Sequence, residues 1–438
     1  MSSKTKTAGI YTLGCKVNQY ESQAIAEELE RLGFCVVSPT EVCDAYVINT
    51  CTVTAESDRK ARQFIRRAIG KNKDAYVVVT GCMAQTSAEA VAGIEGVDAV
   101  IGNSDKLLAA KVVCRLFESG KKNDVPEIHV GDIDTAPFEQ MTITAFERTR
   151  AYVKIEDGCE SRCTYCIIPS ARGKIRSKPA DEVLREVRTL TENGCREIVL
   201  TGIETASYGR DLDGVCLASL LEEIDKIEGI GRVRLGSLDP SLIKPDFADR
   251  IAKIKCLAPH FHLSLQSGSS RILAIMKRKY NAQQAMRAIT LLRERLPEVK
   301  LTTDIIVGFP QESEEDFEES VEFVRKAKFL TAHIFPYSKR AGTPAATMKG
   351  QISKDEKSRR LHILAQAEAE ARRELLENEI KERPVKRVLF ETYADGNATG
   401  HTADFIEVTV PSPRPLHAIF ADVRLISTDG NKVFGELV

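Results

Sequence analysis

Short apolar runs rich in β-branched residues alternate with helical patterns as far as residue 117. Residues 10–13, 46–49 and 76–80 have the continuous apolar character of parallel strands that are buried on both faces. Residues 21–32, between the first two runs, carry one apolar stripe and end at Gly33, as an amphipathic helix does. This alternation predicts a doubly wound α/β domain with a parallel sheet over residues 1–117.

A longer series of strands and helices follows over residues 145–375. The predicted strands are residues 152–155, 197–201, 233–237, 262–266, 300–307 and 333–337, and residues 181–191 form a clear helix between two of them. Six βα units indicate a partial (β/α) barrel of six parallel strands, because a complete TIM barrel needs eight. In such folds the chemistry lies at the carboxyl ends of the strands.

The remaining segments are a linker and a C-terminal domain. Residues 118–144 are polar and aperiodic, which predicts a linker. Ser353 and Glu356 form a capping-box signature for a charged helix that runs toward Glu382. The short apolar runs at residues 388–390, 405–410, 418–425 and 432–437 predict a small all-β barrel or sandwich within a domain at residues 376–438.

The composition of the chain indicates the cellular compartment in which we expect the protein. The chain has 438 residues, 43% of them hydrophobic and 29% charged, with a net charge of -1, which argues against indiscriminate nucleic-acid binding. No apolar run is long enough to span a membrane, and the start Met-Ser-Ser-Lys-Thr-Lys-Thr lacks a signal-peptide apolar region. We therefore expect a cytoplasmic protein without a membrane partner, whose 12 cysteines are reduced.

Three of the cysteines, Cys159, Cys163 and Cys166, form a C-x3-C-x2-C run just past the first strand of the predicted barrel. Three thiolates at this spacing can hold three corners of an iron–sulfur cube and leave the fourth iron open. A zinc site is the alternative, but it usually adds a nearby fourth cysteine or histidine, and none follows closely here. Tyr165, directly before the last cysteine, is suited to stack on an adenine ring.

The run Gly-Cys-Glu-Ser-Arg-Cys-Thr-Tyr-Cys resembles the signature of the radical S-adenosylmethionine (SAM) superfamily. The resemblance implies a 4Fe–4S cluster whose open iron binds SAM, and reductive cleavage of SAM to a 5′-deoxyadenosyl radical. It also implies cofactor contacts at later strand ends. These are Gly202 and Glu204 after the second strand, Gln266 and Ser267 after the fourth, and Ile305 and Val307 on the fifth.

A second cysteine set, Cys15, Cys51 and Cys82, lies at the ends of the three predicted N-terminal strands. The ends of parallel strands share one edge of a sheet, so these thiols could converge there. Gly14 and Gly81 would let the backbone approach a bulky group closely. From the residues alone, a second metal or cluster and three separate buried thiols both stay open.

The sequences around these cysteines are similar to the three signature motifs of the methylthiotransferases. They are Gly-Cys-Lys-Val-Asn-Gln-Tyr-Glu-Ser, Asn-Thr-Cys-Thr-Val and Thr-Gly-Cys-Met-Ala-Gln. The resemblance covers essentially the whole chain and implies an auxiliary-cluster domain, a radical SAM core and a C-terminal TRAM domain. The same resemblance implies that Cys15, Cys51 and Cys82 hold a second 4Fe–4S cluster, which carries the sulfur atom to be inserted into the substrate. We then expect both clusters to face one cavity between the sheet edge and the barrel mouth, with no catalytic residue assigned beyond their ligands.

Basic residues near the predicted barrel mouth are candidates for RNA contact: Arg172, Lys174, Arg176, Lys277 and Arg278. A solvated charged face is the alternative interpretation of such runs. The family's TRAM domain is expected to help bind RNA. Residues 381–438, however, contain seven Lys or Arg against eight Asp or Glu, so composition gives this domain no basic character.

The first cysteine signature resembles the branch that methylthiolates threonylcarbamoyladenosine in tRNA. This resemblance implies a transferase acting on carbon 2 of that nucleoside beside the anticodon, with tRNA, a sulfur donor and a reductant such as flavodoxin or ferredoxin as partners. The alternatives within the family are a ribosomal-protein aspartate and isopentenyladenosine in tRNA. A non-enzymatic iron–sulfur carrier or an RNA-binding protein is the alternative outside it.

Overall fold

The computed structural model describes residues 6–122, 124–146 and 149–438. Residues 1–5, part of the start considered for a signal peptide, and residue 123 of the predicted linker lie outside them. The first domain is a parallel sheet in the order β2-β1-β3-β4-β5-β6. Its strands are β1 Thr7–Thr12, β2 Cys35–Val37, β3 Ala45–Thr50, β4 Tyr76–Gly81, β5 Ala99–Ile101 and β6 Glu127–His129. Its helices are α1 Lys16–Arg31, α2 Ala55–Lys71, α3 Cys82–Thr86, α4 Ala88–Ala92 and α5 Leu108–Ser119.

Helices cover both faces of this sheet, as the sequence pattern predicts. Every residue of β3 and β4 is buried, because α1 and α5 pack on one face and α2 on the other. Burial on both faces explains why these strands have no polar alternation. The doubly wound arrangement is confirmed.

The segment 118–144 is more structured than a linker. Its short strand β6 pairs in parallel with β5 and forms one edge of the sheet, and Ile133 and Met141 are buried. A three-residue strand with a single apolar residue carries too little hydrophobic pattern to be recognised in sequence. The segment therefore belongs to the N-terminal sheet and to the domain contact.

The central domain is an open barrel whose main strands all run in parallel. Its strands are β7 Arg150–Lys154, β8 Glu156–Asp157, β9 Arg176–Ser177, β10 Glu197–Thr201, β11 Arg232–Leu235, β12 Ser237–Leu238, β13 His260–Gln266, β14 Lys300–Val307 and β15 Thr331–Pro336. The helices between them are α6 Ile168–Arg172, α7 Ala180–Glu192, α8 Leu217–Ile224, α9 Pro245–Ile251, α10 Ser270–Ile275, α11 Ala282–Arg295, α12 Glu314–Ala327 and α13 Pro344–Thr347.

The barrel order is β7-β10-β11, continued by β12-β13-β14-β15. Strands β11 and β12 are two halves of one predicted strand, interrupted at Gly236, so six strand positions result. In the described part of the chain β7 and β15 do not pair, which leaves the barrel open on one side. Helix α1 of the first domain packs against β7 at this opening.

The C-terminal domain follows a long helix, α14 Lys354–Ile380, whose first turn is capped by Ser353 accepting from the Glu356 amide. Its strands are β16 Val385–Ala394, β17 Asn397–Thr402, β18 Glu407–Pro411, β19 Phe420–Thr428 and β20 Val433–Leu437, closed as β16-β17-β18-β20-β19. Strand β17, Asn-Ala-Thr-Gly-His-Thr, is too polar to have been predicted. Within the described residues no helix is long and apolar enough to cross a membrane.

Candidate active site

The first cysteine loop lies between the two-residue strand β8 and helix α6, just past the carboxyl end of β7. The Cys159 amide donates to the Gly173 carbonyl at 2.9 Å, which ties the loop to the chain beyond α6. Gly158 has a φ of +87°, and a Cβ there would lie 1.9 Å from the Lys174 carbonyl oxygen. Only glycine allows this close approach, so the loop's position is set by its backbone.

Two of the three thiols of this loop contact charged side chains from later in the chain. The Arg278 Nη1 donates to the Cys163 Sγ at 3.2 Å, and the Cys159 Sγ donates to the Glu204 Oε2 at 3.1 Å. Burial raises the pKa of the Cys166 thiol to about 11. Burial and then Glu204 raise the pKa of Cys159 as well. The free thiols of Cys159 and Cys166 are therefore protonated at neutral pH, and binding iron would release their protons.

The second triad sits where the sequence placed it, at the carboxyl ends of three neighbouring strands. Cys15 follows β1 and caps α1, Cys51 follows β3, and Cys82 follows β4 and begins α3. A Cβ on Gly14, whose φ is +104°, would lie 3.0 Å from the Cys51 Sγ. Burial, then the neighbouring Cys82 and the more distant Cys15, raise the pKa of Cys51 to about 11.

The structure brings the two triads together. Helix α6, which follows Cys166, packs against α3, which begins with Cys82. Arg172 at the end of α6 donates to the Glu21 Oε1 at 2.5 Å and to the Asn18 Oδ1 at 2.6 Å, both on the helix that follows Cys15. The triads therefore share one side of the domain contact, as a two-cluster site requires.

The donor sets fit iron–sulfur clusters better than single ions. Within the described residues, no three His, Cys, Asp or Glu side chains converge closely enough to share one metal ion. A cluster needs a different arrangement, because each thiolate binds its own iron. Thiols without disulfide partners are the ligands such clusters use.

A buried ion network joins the domains beside the triads. Glu21 is fully buried and accepts from Arg172, Lys154 and Lys106, while Asp157 also pairs with Arg172 and Lys154. Burial raises the pKa of Glu21, but the three cations outweigh it and hold the pKa well below its usual value. Glu21 is therefore ionised, and its charge compensates cations that would otherwise be buried alone.

The residues expected around SAM differ in their accessibility. The Tyr165 ring meets the Phe309 ring edge-on at 6.3 Å, in an apolar cluster that also contains Ile306. A Cβ on Gly202 would lie 2.6 Å from the Glu156 Oε2, which also accepts from the Glu204 amide at 2.8 Å. At Gly202, after strand β10, there is therefore room only for a cofactor to contact the backbone.

Three other expected cofactor residues have buried side chains. Ile305 and Val307 are fully buried in the hydrophobic core, and the residue between them, Ile306, faces the other way. Ser267 is also buried, with its hydroxyl 3.3 Å from that of Ser320, whereas Gln266 is half-buried with a φ of 74°. Ile305, Val307 and Ser267 are thus inaccessible to a cofactor in this conformation, and their contact with SAM stays a prediction.

The expectation that Arg172 and Arg176 contact RNA is corrected. Arg172 is fully buried in the ion network, and Arg176 is buried with its guanidinium on the carbonyls of Ile133 and Arg172. Arg278 points toward Cys163. Lys174 and Lys277 are exposed and stay candidates for phosphate contact. Burial depends on chain segments far apart in sequence, so a run of basic residues could not reveal it.

Sequence reasoning missed a polar cavity of about 540 Å³ inside the open barrel. It is lined by Lys16, by residues of β7, β11, β13, β14 and β15, by α14 and by the C-terminal barrel. The alternation His260-x-His262 on β13, with the apolar Phe261 and Leu263 between, was the available signal. Such alternation marks a strand with one polar face, here the inner one.

An open barrel of parallel strands with a cysteine loop past its first strand defines a radical SAM protein. Residues 153–324 match the family model described as the Radical SAM superfamily, and residues 7–102 match Uncharacterized protein family UPF0004. A threonylcarbamoyladenosine tRNA methylthiotransferase MtaB of Bacillus subtilis (strain 168) is 38% identical over 426 residues, 96% of this chain and 94% of that protein. The chain belongs to the radical SAM methylthiotransferase family, which implies SAM and a 4Fe–4S cluster.

Other relatives include both tRNA branches of the family. The MtaB protein of Aquifex aeolicus (strain VF5) is 39% identical over 89% of this chain and 96% of its own length. A tRNA-2-methylthio-N(6)-dimethylallyladenosine synthase of Carboxydothermus hydrogenoformans is 36% identical over 85% of this chain and 86% of its own. Among solved structures, the radical SAM methyltransferase TsrM from Kitasatospora setae has a TM-score of 0.57 at 17% identity, covering 78% of this chain and 77% of that one. The likeness to TsrM shows the fold alone.

Proposed function

We propose that the protein adds a methylthio group to carbon 2 of threonylcarbamoyladenosine next to the anticodon of tRNA. The observation that carries the proposal is the meeting of two cysteine triads at one side of the contact between the sheet edge and the barrel mouth. The near full-length similarity to proteins named threonylcarbamoyladenosine tRNA methylthiotransferase supports the choice of substrate.

In this proposal, Cys159, Cys163 and Cys166 hold the cluster that binds SAM, and Cys15, Cys51 and Cys82 hold an auxiliary 4Fe–4S cluster. When bound, these groups supply the radical that removes hydrogen from an unactivated C–H bond and the sulfur that replaces it, work for which no side chain has a suitable pKa. The reaction also consumes electrons and sulfur, and its methyl group would come from a further molecule of SAM. We therefore propose a reductant such as flavodoxin or ferredoxin and a sulfur donor as partners.

The side chains around the first triad would hold the cofactor and its ligands in place. Arg278, itself fixed by Asp239 at 2.8 Å, places a positive charge beside the Cys163 sulfur. Lys279 donates to the Glu204 Oε1 at 3.1 Å and so orients that carboxylate at the end of β10. Tyr165 supplies an aromatic surface beside Ile306 for an adenine ring.

For tRNA, we propose that phosphates contact Lys174 and Lys277 together with helix α2. That helix carries six Lys or Arg against two Asp or Glu, and begins four residues after Cys51. Of the two acids, Asp58 pairs with Arg340 and Glu56 with Arg59. The surplus charge, close to the auxiliary triad, matches the charge of an RNA backbone.

The test uses the reconstituted, reduced protein with SAM, a sulfide source and anticodon stem–loop RNAs that carry either threonylcarbamoyladenosine or isopentenyladenosine. We expect methylthiolation of the first RNA and formation of 5′-deoxyadenosine, both read by mass spectrometry of nucleosides. Product from the isopentenyladenosine RNA alone would assign the chain to the other tRNA branch. Absence of 5′-deoxyadenosine from cluster-loaded protein would refute the enzymatic proposal.

A further inference from the structure

The cavity inside the open barrel, called the lumen cavity below, reaches the first residue of α1, the helix that follows Cys15. Lys16, the residue after Cys15, lines it together with Arg372 of α14 and Lys432 of the C-terminal barrel. The volume of the cavity is about 540 Å³, which is large enough to hold a group the size of a small molecule. A substrate that presents its reacting carbon to the auxiliary triad therefore has this space next to it.

Among the residues that line the lumen cavity, Lys and Arg outnumber Asp and Glu. Five Lys or Arg residues line it, and the lining carboxylate is Glu407, which is exposed. Two nearby carboxylates already have ion-pair partners. Glu197 pairs with Arg150 and Arg234, and the Asp304 carboxylate lies 3.2 Å from the His262 imidazole. In the described part of the chain, no carboxylate lies within ion-pair distance of Lys16. Its ammonium is thus free for a bound anion.

Two polar atoms in the cavity wall are buried without hydrogen-bond partners. His260 is buried, and its Nε2 lies 3.1 Å from the Thr302 hydroxyl, but its Nδ1 has no partner. The Arg372 Nε is likewise buried without a hydrogen bond, and its ion-pair partner, the Glu368 Oε1, lies 3.7 Å away. Leaving such groups unpaired costs free energy, so a polar ligand in the cavity is the natural partner.

The geometry of adenine links this cavity to the proposed substrate. Carbon 2 and the N6 nitrogen both flank N1 on the same edge of the six-membered ring, so a substituent on N6 lies beside the reacting carbon. The threonylcarbamoyl substituent carries a carboxylate, a hydroxyl and amide groups. An isopentenyl substituent is an uncharged hydrocarbon and would leave Lys16 and the buried His260 Nδ1 without a polar ligand.

We propose that the lumen cavity receives the threonylcarbamoyl group of the substrate and that Lys16 pairs with its carboxylate. This inference rests on the proposed function and assigns its specificity to one side chain. Lys16 is a binding residue here, placed by the N-terminus of α1 rather than by the cluster itself. The imidazole and guanidinium groups of the cavity wall complete the polar surroundings of the substituent.

The test compares Lys16→Met with Lys16→Arg in the reconstituted enzyme, using stem–loop RNAs that carry threonylcarbamoyladenosine or its methyl ester. Lys16→Met should lower kcat/KM and RNA affinity for the acid on the order of 10- to 100-fold, the scale of one charge-assisted hydrogen bond. It should leave the ester unaffected, and Lys16→Arg should recover most of the loss. Lys111→Met, at an exposed position of α5, serves as the matched control.

Iron content and SAM cleavage without RNA separate binding from structure. Both should be unchanged in Lys16→Met, because the substitution keeps Cys15 and the length of the side chain. Loss of iron, or an equal loss for acid and ester, would overturn the role of Lys16. If wild-type enzyme instead modifies only isopentenyladenosine RNA, the proposed function itself fails.

Discussion

Substituting Glu21 by Gln removes one negative charge from the buried network between the domains. Glu21 is fully buried and accepts from Arg172 at 2.5 Å, from Lys154 at 3.0 Å and from Lys106. In the variant, Asp157 would still pair with Arg172 and Lys154, whereas Lys106 would lose its carboxylate partner, and the amide NH₂ of Gln would point donors at donors. Breaking a buried pair in this way costs about 3–5 kcal/mol.

The measurement is urea unfolding followed by far-ultraviolet circular dichroism, with limited proteolysis to show which domain opens. For m-values of about 1–3 kcal/mol/M, the expected loss lowers the midpoint by about 1 M or more. The control is Glu28→Gln on the same helix, which removes an exposed pair with Arg31 and should cost under about 1 kcal/mol. Equal shifts for both variants would refute a stabilising role for the Glu21 charge.

The pH dependence of the same difference has a definite sign. The cations hold the pKa of Glu21 well below its unfolded value, so its charge stabilises the fold above about pH 4. This contribution is lost as pH falls through the folded pKa. The difference in unfolding free energy between wild type and Glu21→Gln should therefore be constant near neutrality and shrink in acid. A difference that grows below pH 4 would contradict the assigned charge state.

Three other predictions concern the clusters, the RNA surface and a backbone position. Cys82→Ala should lower the bound iron by about half and abolish methylthiolation while 5′-deoxyadenosine still forms, because the other triad is intact. Reversing the charges of Arg66 and Arg67 on α2 should weaken tRNA binding and reduce its salt dependence by about 0.9 per lost phosphate contact in a titration of affinity against salt. Gly81→Ala should destabilise the protein by about 1–3 kcal/mol or more in urea unfolding. Its φ is +98°, and the new Cβ would lie 2.4 Å from the Thr50 carbonyl oxygen.

Each of these three predictions has a control variant or a result that would contradict it. Cys163→Ala should abolish 5′-deoxyadenosine as well, and unchanged cleavage of SAM there would contradict the assignment of the two triads. An unaltered salt dependence in the Arg66 and Arg67 variant would remove α2 from the RNA surface. Gly70→Ala, in the last turn of α2 with no atom within 4 Å of the added Cβ, should stabilise by at most about 0.5–1 kcal/mol.

The elements that sequence predicted best are those whose surroundings are uniform. Strands β3 and β4 are buried throughout, so their apolar runs are continuous and mark them clearly. Strands β6 and β17 were missed because a short edge strand and a polar strand of a small barrel owe their conformation to a neighbour. Pairing with that neighbour is a non-local property that a short window cannot contain.

The sequence by itself determined the candidate cluster ligands. Cys159, Cys163 and Cys166 are close along the chain, and Cys15 and Cys82 each follow a strand that its own residues define. Tertiary structure decided which charges are buried and which are paired. Arg172 was expected at an RNA surface but is buried against Glu21, whereas Lys16 faces the lumen cavity with no carboxylate of the described residues within ion-pair distance. The physical reason is that ligand spacing is local, while burial and pairing of a charge depend on segments that meet only when the domains pack.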